Sequence, residues 1–233
     1  MPATKGRRGA QVLAGQTPRR APAPMQKDRS ASSVVQSRLN IKQWQQRVPT
    51  VAEVRPGRCP GCGAASCPLG GGVRLRGHGT RERQVAGPTA PDALPEVVTV
   101  IARRYRCVSC RAVIIVVPSE IGGRRVYSLS AIGLALALWG LVGATAAEVR
   151  AYISSASKIG HEAAFGWATL RRWARDVAQG RLFPSTPKSP SPLPLPLRRS
   201  AASAASALAA SADPTTRELP IAHRAFLGAA RAA

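Results

Sequence analysis

The sequence predicts an α+β chain: a small β domain, then a three-helix bundle, with disordered tails at both ends. Three observations lead there. The cysteines fall into two Cys-x-x-Cys pairs, Cys59-Pro-Gly-Cys62 and Cys107-Val-Ser-Cys110. Between and just beyond these pairs, short runs alternate and are rich in β-branched residues. From Tyr127 onward the chain turns uncharged and Ala/Leu-rich, then carries apolar residues at helical spacing.

Two thiolates two residues apart can grip one face of a tetrahedral ion, and two such pairs close a four-sulfur shell. The expected ion is zinc, with Cys59, Cys62, Cys107 and Cys110 as ligands and the β domain as a zinc ribbon. A closed shell leaves no position for a substrate water, so the metal is expected to hold the fold and do no chemistry. The gap is wide: 44 residues separate Cys62 from Cys107, against about 15–20 in the usual pattern. Closing the longer loop costs little more, because loop entropy grows only slowly with length. Cys67 lacks a Cys-x-x-Cys mate and reads as a spare thiol. His78, between Gly77 and Gly79, reads either as a ligand or as a turn residue.

The elements follow in order. Residues 1–48 are basic and rich in Pro, Ala, Gln and Ser, which predicts a disordered arm. A short helix within 34–48, anchored by Trp44, is compatible with that stretch. The ribbon domain is expected over 50–120. It comprises a lead-in strand before Cys59, a hairpin over 73–85 turning at Gly77-His78-Gly79, a Pro-rich loop over 87–95, a strand over 96–106 and another over 113–117. The helical domain is expected over 126–182. Ser128 or Ser130 caps its first helix. The run 131–147 is uncharged, but it is only about as long as the shortest membrane spans, and glycines break it. A core helix is therefore expected there, not a membrane anchor. Thr145 and Glu148 have capping-box spacing for the second helix. The third, 167–179, buries Leu170, Trp173 and Val177 and stops at Gly180. Residues 183–233, rich in Pro, Ala and Ser, predict a disordered tail.

Charge directs the functional reading. The chain holds 34 Lys+Arg against 11 Asp+Glu, a net +23, and such an excess calls for a polyanionic partner. Aromatics make up only 4% of residues, which argues against stacking platforms for single strands. Thr169, Arg171, Arg172 and Arg175 lie off the apolar stripe of the third helix, where a recognition helix presents its contacts. Arg103, Arg104 and Arg106, around Tyr105, form a second basic stretch that suits a phosphate backbone. The acids are scattered and no phosphate loop or Ser/His/Asp set is present. A non-catalytic protein that binds double-stranded DNA, with no small-molecule substrate, is expected. The alternative is a ribbon module that binds protein or RNA without reading DNA sequence. Met1 to Arg20 lacks an apolar segment, so the expected location is the cytoplasm, in association with the nucleoid.

Three stretches also carry a resemblance. Cys59-Pro-Gly-Cys62-Gly63, Arg76-Gly-His-Gly-Thr-Arg-Glu-Arg83 and Arg103-Arg-Tyr-Arg-Cys-Val-Ser-Cys110-Arg111 resemble the zinc-ribbon head of bacterial transposase-associated proteins, where a ribbon precedes a helix-turn-helix. Tyr127-Ser-Leu-Ser-Ala-Ile132 and Thr169-Leu-Arg-Arg-Trp173 sit where that family has its first helix and its recognition helix. The resemblance implies the same four zinc ligands, DNA docking by 167–179, and a mobile-element setting with a transposase or a second copy as partner.

Overall fold

The computed structural model describes residues 33–123, 125–155, 167–186 and 196–232. The first 32 residues of the expected basic arm, and His161, lie outside them.

The sheet has four strands in the order β1-β4-β3-β2. They are β1 (Ser33–Gln36), β2 (Leu75–Gly87), β3 (Glu96–Cys107) and β4 (Val113–Val117). β2 and β3 form one long antiparallel hairpin whose turn is the Pro-rich loop, and Leu75 pairs with Cys107. The chain therefore leaves the first knuckle, runs out along β2 and returns along β3 to the second. That path accounts for the wide gap between the cysteine pairs.

Two ribbon expectations are corrected, and so is the described end of the expected disordered arm, 33–48, which holds a strand and a short helix. The turn expected at Gly77-His78-Gly79 is a bulge inside β2, between Gly77 and Thr80. The lead-in before Cys59 is a set of turns, with only an isolated bridge from Arg58 to Ala65. Its carbonyls serve side chains instead: Pro49 O accepts from Arg103 Nε at 2.6 Å and Val51 O from Tyr105 Oη at 2.7 Å. β1, parallel to β4, was not expected at all. After it comes the short helix α1 (Ile41–Gln46), capped by Asn40 and Gln43. Trp44 is its buried anchor, donating from Nε1 to Ile101 O at 2.8 Å.

The helical layer holds α2 (Leu129–Ala137), a π-turn (Leu138–Val142), α3 (Ala146–Ile153) and α4 (Ala168–Ala178). Ser128 caps α2, accepting from Ala131 N, and Thr145 and Glu148 form the expected capping box on α3. Gly180 ends α4 at φ +68°. No helix among the described residues is long and apolar enough to cross a membrane.

The expected disordered tail is also corrected. Residues 197–232 form α5 (Leu197–Ala210) and α6 (Ile221–Ala229), which pack on α2 and on each other. The helical layer thus exceeds three helices. Ala201, Ala205, Leu208, Ala225 and Ala229 are fully buried there. Small residues supply little apolar area each, but they let backbones approach closely. A Cβ on Gly133 would lie 2.7 Å from Ala229 Cβ, and one on Gly228 would overlap the Leu208 carbonyl.

A strap between the layers fixes their relation. Ala86 N donates to Val126 O at 2.8 Å, Ser128 N to Ala86 O at 3.1 Å and Leu129 N to Glu120 O at 2.7 Å. Tyr127, Trp167 and Trp173 form a mutual edge-to-face triangle, with centroids 5.0–5.7 Å apart. Asp176 on α4 accepts from Arg125 at 3.1 Å and from Arg181 at 2.6 Å.

Two tests follow from this packing. Gly228→Ala should cost about 3 kcal/mol in urea unfolding, because neither backbone can retreat; a disordered tail would give no change. Burial raises the Asp176 carboxyl, but hydrogen bonds from Arg181 and Arg125 outweigh it and hold the group below the usual carboxylate range. A depressed folded-state value stabilises above the unfolded value of about 3.9 and is lost as pH falls through the folded one. Asp176→Asn should therefore lower stability by about 2 kcal/mol at pH 7 and flatten the acid limb of a stability-versus-pH curve.

Candidate metal centre

Each cysteine pair sits in a knuckle, and the two knuckles share one hydrogen-bond pattern. In the first, Cys59 N donates to Ala64 O at 2.9 Å and Gly63 N to Cys59 O at 2.8 Å. In the second, Cys107 N donates to Ala112 O at 3.0 Å and Arg111 N to Cys107 O at 2.9 Å. The fifth position is left-handed in both: Gly63 at φ +71° and Arg111 at φ +61°. The pattern frees backbone N–H groups to face the thiols. Those of Ser109 and Cys110 reach Cys107, and that of Ala112 reaches Cys110.

The hairpin brings the knuckles together. All four ligand sulfurs lie within 4.8 Å of one another. Cys59 Sγ is 3.7 Å from Cys110 Sγ, and Cys62 Sγ is 3.8 Å from Cys107 Sγ. A disulfide needs about 2.05 Å, so these are not covalent pairs. A zinc tetrathiolate has Zn–S of about 2.3 Å, and the edge of that tetrahedron is about 3.8 Å. The four sulfurs can hold a metal ion, and their spacing fits zinc. Cys59 and Cys107 are buried and Cys62 is exposed, so the centre closes the surface end of the ribbon core.

The thiols cannot all ionise unaided. Burial pushes Cys107 up, but the N–H groups of Cys110 and Ser109, with the neighbouring thiols, bring it down to about 7. The Ala112 N–H favours the Cys110 thiolate, yet burial and the surrounding sulfurs push that group up to about 12. A divalent cation removes this conflict, because thiolates are its ligands.

The other expected residues separate. Cys67 is exposed and outside the cluster, with Arg55 Nη1 3.5 Å from its sulfur. His78 lies in the β2 bulge and is not in the cluster either. Arg171, Arg172 and Arg175 are exposed on α4, opposite buried Leu170, Trp173 and Ala174. Thr169 is half-buried and accepts from Arg172 Nη2 at 3.2 Å. Arg103, Arg104 and Arg106 do not surround an exposed ring. Tyr105 is buried, and Arg103 shares its face and bonds Pro49 O. Arg104 and Arg106 point to the opposite face. Sequence reading missed Arg125, whose pairing with Asp176 joins the strap to α4; no local signal marks it.

Family models, curated proteins and solved structures were compared with the chain, and none matches.

Purified protein should carry one metal ion per chain by elemental analysis. Cys107→Ser should abolish it and Cys67→Ser should leave it unchanged. Substitution with cobalt should give the intense visible bands of a tetrahedral thiolate site. Loading should release protons near neutral pH, because Cys110 is held protonated without the metal.

Proposed function

We propose that the chain is a zinc-stabilised, non-catalytic protein that binds duplex DNA, of the kind that serves mobile elements as a recognition module. Zinc on Cys59, Cys62, Cys107 and Cys110 would shape the ribbon, and α4 would be the docking helix. The observation that carries this reading is the division of α4. One side is packed into the core through Leu170, Trp173 and Ala174, and the other presents the guanidiniums of Arg171, Arg172 and Arg175 to solvent. A helix held rigidly at its back is a suitable platform for phosphate and base-edge contacts. The net charge of +23 favours association with a polyanion at long range.

The four-thiolate shell has no open position, so the reading gives the metal no chemistry. α3 ends at Ile153 and α4 begins at Ala168, farther apart than the three- or four-residue turn of a helix-turn-helix. α4 is therefore proposed to dock as a single buttressed helix supported by α5 and α2.

Fluorescence anisotropy on a labelled duplex over a salt series tests the reading. Each phosphate contact contributes about one unit to the slope of log K against log salt. Alanine at Arg171, Arg172 and Arg175 together should reduce the slope by about three units. Metal-loaded protein that shows no salt-dependent duplex binding would overturn the reading.

A further inference from the structure

One face of the β2–β3 hairpin carries, around the buried Val100 and Ala102, a line of arginines that the fold has assembled at a cost. Arg76 pairs directly with Arg106 across the strands, and directly opposed like charges destabilise a sheet. Arg104 lies two residues along on the same face. In an unbroken β2, Arg76 would share a face with Glu82 and Gln84. The bulge between Gly77 and Thr80 shifts the register, so Arg81 pairs with Ala102 and Arg83 with Val100. Ala102 and Val100 stand on the Arg104–Arg106 face, so the bulge brings Arg81 and Arg83 onto it; Arg83 is half-buried and donates to Gly122 O at 2.8 Å.

At the knuckle end, Arg76, Arg106, Arg111 and His78 line a cleft of about 550 Å³ that has no acidic residue in its lining. Arg111 adds an independent sign. It holds a left-handed conformation at φ +61°, where the equivalent position of the first knuckle is Gly63. Glycine adopts that conformation freely and a side chain pays for it. At the other end, a cleft of about 650 Å³ takes in Arg81, Arg83 and Arg125, with Glu82 its one acid. A third, of about 520 Å³, shares Gly123, Arg125 and Val126 with it and reaches Thr169 and Arg172 on α4.

We propose that this face is a second contact surface for duplex DNA, a track for the phosphodiester backbone running from the metal centre to α4. It rests on the reading of the chain as a duplex-binding protein and adds side chains that reading does not use. The six steps of β3 from Val100 to Arg106 span roughly 20 Å, the rise of about six phosphates along one strand. Tyr105 faces the core, so the track offers charge and no aromatic ring. It would hold the backbone without reading bases, while α4 meets the groove.

The full-length, metal-loaded protein is tested on a mixed-sequence duplex over a salt series, alongside thermal unfolding. Two variants relieve the strain described above: Arg76→Ala removes the like-charge pair, and Arg111→Gly restores the residue type of the first knuckle. Each should raise the Tm, yet each should lower the salt slope by about one unit, with metal content unchanged. Arg76→Lys, which keeps the charge, should retain the slope. Variants whose Tm rises while the slope stays at the wild-type value would overturn the track and leave the α4 reading standing. Wild-type protein without salt-dependent duplex binding would overturn both.

Discussion

Four cysteine sulfurs within 4.8 Å of one another tie the first knuckle to the end of the long hairpin. Leu75 begins the long hairpin beside one pair and Cys107 ends it at the other, so closing that cluster also fixes the register of β2 against β3. Other ties between the first knuckle and the hairpin are few: Arg74 N donates to Ser66 O and Val108 N to Arg74 O. Structural zinc sites contribute about 10–16 kcal/mol in small metal-dependent folds, whereas whole domains are stable by about 5–15 kcal/mol. On that scale, a metal ion at this centre would outweigh the knuckle's other hydrogen bonds to the hairpin.

The bundle answers to different physics. Its core is separate from that of the sheet and interleaves large side chains, such as Leu134, Leu136, Trp173 and Phe226, with many alanines. Where alanines and glycines meet, backbones approach closely, so dispersion between well-fitted surfaces adds to the burial of the large side chains. The orientation of α4 relative to the sheet rests on the strap, where Asp176 receives Arg125 from one side and Arg181 from the other. Asp176 is buried at this joint. One acid thus pairs with two guanidiniums at the joint, with a net positive charge left over.

What could be read in advance was what local chemistry determines. The cysteine spacing gave the four ligands, Thr145 and Glu148 gave a helix start, and Gly180 gave a stop. The stripe of Leu170 and Trp173 gave the buried side of α4. What escaped depended on distant partners. β1 is four residues whose strand partner is β4, some eighty positions away. The bulge looked like a turn, because glycines around a histidine signal both; only the pairing with β3 distinguishes them. Residues 197–232 looked unstructured, because alanine and serine have little hydrophobic weight alone. Their order comes from Gly133 and Gly228, which allow contacts that no composition argument registers.

Metal centre and arginines also support each other electrostatically. Four thiolates around a divalent ion carry a net charge of about −2, and Cys107 lines the same cleft as Arg76, Arg106 and Arg111. A loaded centre therefore offsets the mutual repulsion of these cations, and they in turn favour the thiolate state. Loss of the metal would remove that negative charge while leaving the guanidiniums crowded together. In a chain with few acids, a metal-bound tetrathiolate here would be a concentrated counter-charge beside the arginine face. That is a physical reason for basic strands and a four-cysteine centre to occur side by side.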